Sequence, residues 1–172
     1  MTQRGALIDR DGTVNVQPPE HEYVSRVEDF HLLPGALEGI AALASCGYVP
    51  AIVSNQRGVA RGMTTREALG EIDAALQAAL EPHGVRIAGF YYCTHGADES
   101  CDCRKPRPGL LLQAAAELEL DLAGSWMIGD TPRDVEAGRA AGARTAYLGS
   151  DGEVDADLTA ASLGEAASLI CP

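Results

Sequence analysis

Lysine is almost missing from this chain of 172 residues: of its 13 basic side chains, 12 are arginine and one, Lys105, is lysine. Basic charge as a whole is scarce beside 25 acidic residues, and the formal net charge is −12. Such a surface repels nucleic acid and anionic membrane at long range, so neither is an expected partner. It also repels phosphorylated ligands, so any anion site must be a local cationic pocket. No apolar stretch approaches the ~20 residues of a membrane span. The N-terminus shows no secretory signal either, because Leu7-Ile8 runs straight into Asp9. These absences lead us to expect a cytoplasmic protein. The five cysteines are odd in number, which argues against a disulfide framework in that compartment. Cys46 falls on an apolar helical face and is expected to be a small core residue. Cys171 is penultimate, and no role is expected for it.

What is present is enough for a core: 46% of the residues are apolar, which fits one globular domain over 1–172. Short apolar runs alternate with helical patterns. The expected strands are Ala6–Ile8, Tyr48–Val53, Gly89–Tyr92, Trp126–Ile128 and Thr145–Leu148. Helices are expected from Pro34 to about Gly47, from a capping box at Thr64 and Glu67, around Leu111–Leu118, over Arg133–Ala141, and from a capping box at Ser162 and Glu165. This alternation predicts an α/β fold, a Rossmann-like three-layer sandwich of parallel strands with helices on both faces. The polar segment 14–30, with Pro18-Pro19, is long for a βα loop and is read as a flap over the site.

The chemistry collects where the strands end. Asp9 and Asp11 follow the first strand at i, i+2, a spacing that sets two side chains on one side of extended backbone. Adjacent carboxylates repel, a cost readily accepted where a cation neutralises one and the other handles protons. Ser54-Asn55-Gln56 closes the second strand with a hydroxyl and two amides. Asp130 closes the fourth, with Asp134 four residues on. Lys105 follows the third, and an ammonium there can bridge a phosphate and a carboxylate. Taken singly, each has a plain reading: a turn at Asp11-Gly12, a polar loop, a solvated lysine, a helix cap at Asp134. A separate cluster, Cys93, His95, Cys101 and Cys103, places four soft ligands within eleven residues, the pattern of a structural zinc site with no open position. Zinc there would fix the backbone leading into Arg104 and Lys105.

Taken together, Asp9-Arg10-Asp11-Gly12-Thr13, Ser54, Lys105 and Gly129-Asp130 through Asp134 resemble the motif set of the haloacid dehalogenase superfamily of phosphatases. The zinc cluster is similar to that of a capless branch. That branch includes phosphatases of D-glycero-D-manno-heptose 1,7-bisphosphate and of histidinol phosphate. The resemblance implies that Asp9 is the nucleophile that becomes an aspartyl phosphate, and that Asp11 is the general acid and base. It implies Mg²⁺ held by Asp9, the backbone carbonyl of Asp11, and Asp130. It further implies phosphate and substrate contacts from Thr13, Ser54, Asn55, Gln56, Arg61, Arg104 and Lys105, with Asp134 supporting Lys105. The segment Asn55-Gln56-x-Gly58-Val59-Ala60-Arg61-Gly62 and the arginines near the motif loops favour a sugar bisphosphate, and hence the heptose branch. Its 7-phosphate is the expected leaving site, and a monomer the expected state. Histidinol phosphate is the alternative, suited to the short gap between His95 and Cys101. Arg57 and Thr131 stand where the heptose branch usually has a small residue and a lysine. A zinc-stapled binding module without activity, and a nucleic-acid 3′-phosphatase, are weaker readings. The acidic pair argues against the first, and the net charge against the second.

Overall fold

The structure, a computed structural model, describes residues 2–96, 98–150 and 154–171. Strand β1 is Arg4–Ile8, followed by α1 (Ala36–Ser45), β2 (Tyr48–Asn55), α2 (Arg66–Leu80) and β3 (Phe90–Cys93). Then come α3 (Gly109–Glu117), β4 (Trp126–Gly129), α4 (Pro132–Ala141), β5 (Arg144–Leu148), β6 (Leu158–Ala160) and α5 (Leu163–Ile170). The strands form one sheet in the order β3-β2-β1-β4-β5-β6, and every pairing is parallel. The expected α/β sandwich is therefore present, with one more strand than the apolar pattern predicts. Strand β6 is only three residues long and lies at the sheet edge, so its sequence has little apolar surface to declare it.

Strand alternation divides the core into two layers. Ala6, Ile8, Ile52 and Ile128 face α1, α2 and α5, meeting Ile40, Leu43, Leu76 and Leu163. Leu7, Ala51, Val53 and Met127 face α3 and α4, meeting Leu110, Leu111, Ala114 and Ala137. Both faces of the central strands are covered, which is why β1 reads as an unbroken apolar run. Among the described residues no helix is long and apolar enough to cross a membrane.

The helix starts differ slightly from expectation. Thr65, rather than Thr64, caps α2 by accepting a hydrogen bond from the Ala68 N–H at 3.1 Å. Thr64 is instead buried. Helix α1 begins at Ala36, after Gly35 in the left-handed region (φ 77°). Ser162 caps α5 as expected, accepting from Glu165 N–H at 3.2 Å.

One expectation fails. Cys46, at the end of α1, and Cys171, at the end of α5, form a disulfide with Cα atoms 6.1 Å apart. Their separation of 125 positions leaves no local signal. Their proximity comes from the packing of α1 on α5, which Gly39 permits. A Cβ at Gly39 would lie 2.9 Å from the backbone carbonyl of Leu163. Gly39→Ala should therefore destabilise the fold by about 1–3 kcal/mol through overpacking. Gly70→Ala, in open space on α2, should instead add up to about 1 kcal/mol. The shift of the denaturant midpoint checks both.

Candidate active site

Strand order reverses between β1 and β4, and an open parallel sheet opens its ligand crevice at the C-terminal ends flanking that point. Asp9 leaves β1 there, with its N–H donating to Ile128 O at 2.9 Å, and Asp130 leaves β4 beside it. The turn that follows Asp9 is tight against Asp130. Gly12 sits at φ +87°, and a Cβ on it would fall 2.1 Å from Asp130 Oδ2, so only glycine fits this position. Thr13 is buried and donates from its hydroxyl to Asp130 Oδ1 at 3.2 Å.

Lys105 enters from the loop between β3 and α3 and is buried. Its ammonium donates to Asp9 Oδ1 at 2.8 Å, Asp134 Oδ1 at 2.6 Å and Val53 O at 2.9 Å. All three protons are thus placed. Asn55 grips the same residue from behind: its Nδ2 donates to Lys105 O, and its Oδ1 accepts from Lys105 N–H, both at 3.0 Å. Asp134 does two jobs at once. One oxygen holds Lys105; the other accepts from the Thr131 N–H at 3.0 Å, capping α4. The helix-cap reading of this residue and the expected contact with Lys105 therefore hold together.

Above this floor is a cleft of about 240 Å³. Asp9, Asp11, Ser54 and Lys105 line its base, and Arg57, Arg104 and Arg133 stand around it. Gln17, Pro18, Glu22 and Tyr23 of segment 14–30 form one wall. It is braced by Arg57 Nε donating to the Tyr23 hydroxyl at 3.3 Å.

The cysteine cluster lies on the same loop as Lys105. Cys93 Sγ is 3.8 Å from Cys101 Sγ and 3.6 Å from His95 Nδ1, and His95 Nδ1 is 3.2 Å from Cys103 Sγ. In a tetrahedron with Zn–S near 2.3 Å, neighbouring sulfurs stand about 3.8 Å apart. The donor types and spacings fit a structural zinc ion.

Residues 102–170 match the HAD-hydrolase-like family profile. A D-glycero-β-D-manno-heptose-1,7-bisphosphate 7-phosphatase of Yersinia pestis is 38% identical over 173 residues, covering 92% of this chain and 90% of that protein. The chain belongs to the heptose-bisphosphate phosphatase family. A second relative of the same description, from Haemophilus ducreyi, is 34% identical and covers 95% of this chain and 96% of its own. The crystal structure of D,D-heptose 1,7-bisphosphate phosphatase from B. bronchiseptica, complexed with magnesium and phosphate, superposes with a TM-score of 0.86. It is 29% identical, and the match spans 97% of each chain.

Within this family of HAD-like enzymes, some expected substrate contacts take other places. Arg61 is exposed and does not line the cleft. Thr13 and Gln56 lie beneath the floor, where they contact Asp130 and Asp11 respectively. Asn55 reaches the cleft, but its amide is engaged by the Lys105 backbone. Arg133, which motif reasoning passed over, stands at the rim. Its place in the first turn of α4, next to Asp134, was the available signal.

The acidic set is short of positive charge. Ligand oxygens of Asp9, Asp130 and Asp134 lie within 4.8 Å of one another. Burial pushes the Asp9 carboxyl up to about 7 despite Lys105, and Asp134 adds to the rise. Burial, and then Asp134, raise Asp130 to about 6. Lys105 stays protonated, above its ordinary value: burial opposes its charge, but Asp9 and Asp134 outweigh it. Carboxylates so reluctant to ionise suit a hard divalent cation.

A group held above its unfolded pKa stabilises the fold fully below the unfolded value, and that contribution disappears as pH rises through the folded value. For Asp9 the window runs from 3.8 to about 7. Asp9→Asn removes the late-appearing charge, so without divalent metal its Tm measured against wild type should be higher at pH 8 than at pH 5, whatever the loss of the Lys105 contact costs at both. Thermal melts in chelator at the two pH values check this.

Proposed function

We propose that the chain is a Mg²⁺-dependent phosphomonoesterase that removes the 7-phosphate of D-glycero-β-D-manno-heptose 1,7-bisphosphate. The observation that carries this reading is the buried Lys105 ammonium joining Asp9 to Asp134 beneath a cleft ringed by arginines. When bound by Asp9, the backbone carbonyl of Asp11 and Asp130, Mg²⁺ supplies positive charge that offsets these carboxylates and the phosphoryl oxygens.

A carboxylate oxygen of Asp9 attacks phosphorus, and the bond to the sugar oxygen breaks. Asp11 gives that oxygen its proton, so the sugar leaves as an alcohol. Asp11, now a base, takes a proton from water as the water oxygen attacks the aspartyl phosphate. This frees the Asp9 carboxylate and phosphate. Ser54 donates to a phosphoryl oxygen, and Lys105, its three protons on Asp9, Asp134 and Val53 O, offsets the phosphoryl charge by its own, which is in place beforehand. Asp134 and Asn55 keep Lys105 in place from its ammonium and its backbone.

The second phosphate needs planar cations able to grip two oxygens, and Arg57, Arg104 and Arg133 are at hand. The names of the relatives support the β anomer of the heptose bisphosphate over histidinol phosphate. The decisive assay is phosphate release with Mg²⁺ from both heptose bisphosphate anomers and from histidinol phosphate. The β anomer should show the highest kcat/KM, and Asp9→Asn should show no turnover. Preference for histidinol phosphate would overturn the substrate, and turnover by Asp9→Asn would overturn the mechanism.

Cys93, His95, Cys101 and Cys103 hold zinc in this reading, fixing the backbone that carries Arg104 and Lys105. Arg104 also reaches back to donate to His95 O. The protein as purified should carry about one zinc per chain. Cys101→Ser should release it and lower activity while the sheet persists, as read by metal analysis beside far-UV circular dichroism.

A further inference from the structure

Asp11 is held from behind by three side chains that the proposed reaction does not use. Its Oδ1 accepts from Asn15 Nδ2 at 2.9 Å and from Arg10 Nε at 3.1 Å. Its Oδ2 accepts from Gln56 Nε2 at 2.8 Å and from an Arg10 terminal nitrogen at 3.3 Å. Arg10, Asn15 and Gln56 are each no more than 1% exposed, and none lines the cleft. They cannot be substrate contacts. They come from three separate places: the exit of β1, the start of segment 14–30 and the exit of β2.

Burying this set costs stability. Arg10 is a charged group taken out of water, and its Nη1 has no partner; Asn15 Oδ1 has none either. Orphaned buried polar atoms are rare, and they persist where a geometry matters more than stability. The guanidinium is steadied further by lying 5.7 Å over the Tyr92 ring, whose hydroxyl donates to Asp73 of α2. The result is one carboxylate facing the cleft in one rotamer, braced on both oxygens. Gln56 adds a link the others lack: the same Nε2 lies 3.1 Å from Ser54 Oγ, on the phosphate side of the cleft.

We propose that Gln56, together with Arg10 and Asn15, is a positioning residue for proton delivery. It fixes the direction of the Asp11 carboxyl relative to the phosphate held at Ser54. This rests on the role given to Asp11 above. Loss of aim should matter only when the leaving oxygen needs a proton. An alkoxide needs one; p-nitrophenolate leaves without help. A fault in folding or in phosphate binding would slow both alike.

The test is kcat/KM for an alkyl and an aryl phosphate, since this ratio reads only the steps up to release of the alcohol. The pair is D-glycero-β-D-manno-heptose 1,7-bisphosphate and p-nitrophenyl phosphate, with Mg²⁺ present. Gln56→Met keeps length and bulk but removes the donor. It should lower kcat/KM for the bisphosphate about 10- to 100-fold, the scale of a misaimed catalytic group, and for the aryl ester less than about threefold. Equal losses on both substrates, or no loss, overturn the proposal. Asp11→Asn must give the same selectivity more strongly; if it does not, Asp11 is not the proton donor and the proposal falls with that reading. If wild type ignores the heptose ester, the substrate assignment has failed by itself, and histidinol phosphate, also an alkyl ester, serves in the same ratio. Should Gln56→Met fail to fold, Asn15→Ala is read in its place, with the same selectivity expected.

Discussion

A single buried ammonium organises this molecule. Lys105 has no water to return to, so its three protons must go to Asp9, Asp134 and Val53 O. Each of these sits on a different element: the end of β1, the start of α4 and the body of β2. The charge therefore ties together three elements that hydrophobic packing alone would only place side by side. Removing either acid would leave the ammonium with one counter-charge in a dry site, a far larger penalty than the loss of a surface pair. The proposed catalytic geometry and the local stability are in this sense the same interaction.

The arrangement is nonetheless poised rather than satisfied. One lysine faces three carboxylates whose ligand atoms lie within 4.8 Å, and two of those carboxyls are pushed well above their ordinary range. A bare site is electrostatically unfinished, and a dication completes it. The second proposed metal acts at a distance from this charge. Its proposed ligands include no carboxylate, and it would hold a loop rather than a reacting group. In that proposal the two sites divide one problem: zinc would steady the loop that leads into Lys105, while the sheet grips the residue itself through Asn55 at its backbone and Asp9 at its ammonium.

Much of this was legible beforehand because it depends on residues that announce themselves at short range. The parallel strands show as apolar runs, buried on both faces as Leu7 and Ile8 are, and Asp9, Ser54 and Asp130 follow those runs directly. The cysteine cluster lies within eleven residues. The features that were missed are those fixed by tertiary contact. Strand β6 owes its existence to pairing with β5 rather than to its own pattern. Cys46 and Cys171 meet only because α1 lies on α5. Motif analysis assigned Gln56 and Thr13 to the substrate because it shows which loop a residue is on, not which side of that loop its side chain takes. Arg61 and Arg133 exchange places for the same reason: proximity to a motif in the chain is not proximity to the cleft.

The contrast between floor and rim has a consequence for how such a protein can change. Asp9, Ser54, Lys105 and Asp134 are buried, and each is bonded to another part of the site. Arg57 and Arg104 are only partly covered, and Arg133 is exposed. Exposed positions tolerate substitution with stability changes of about ±0.5 kcal/mol, whereas buried charged networks do not. Selection can therefore revise which phosphate ester is admitted without touching the groups proposed to break it.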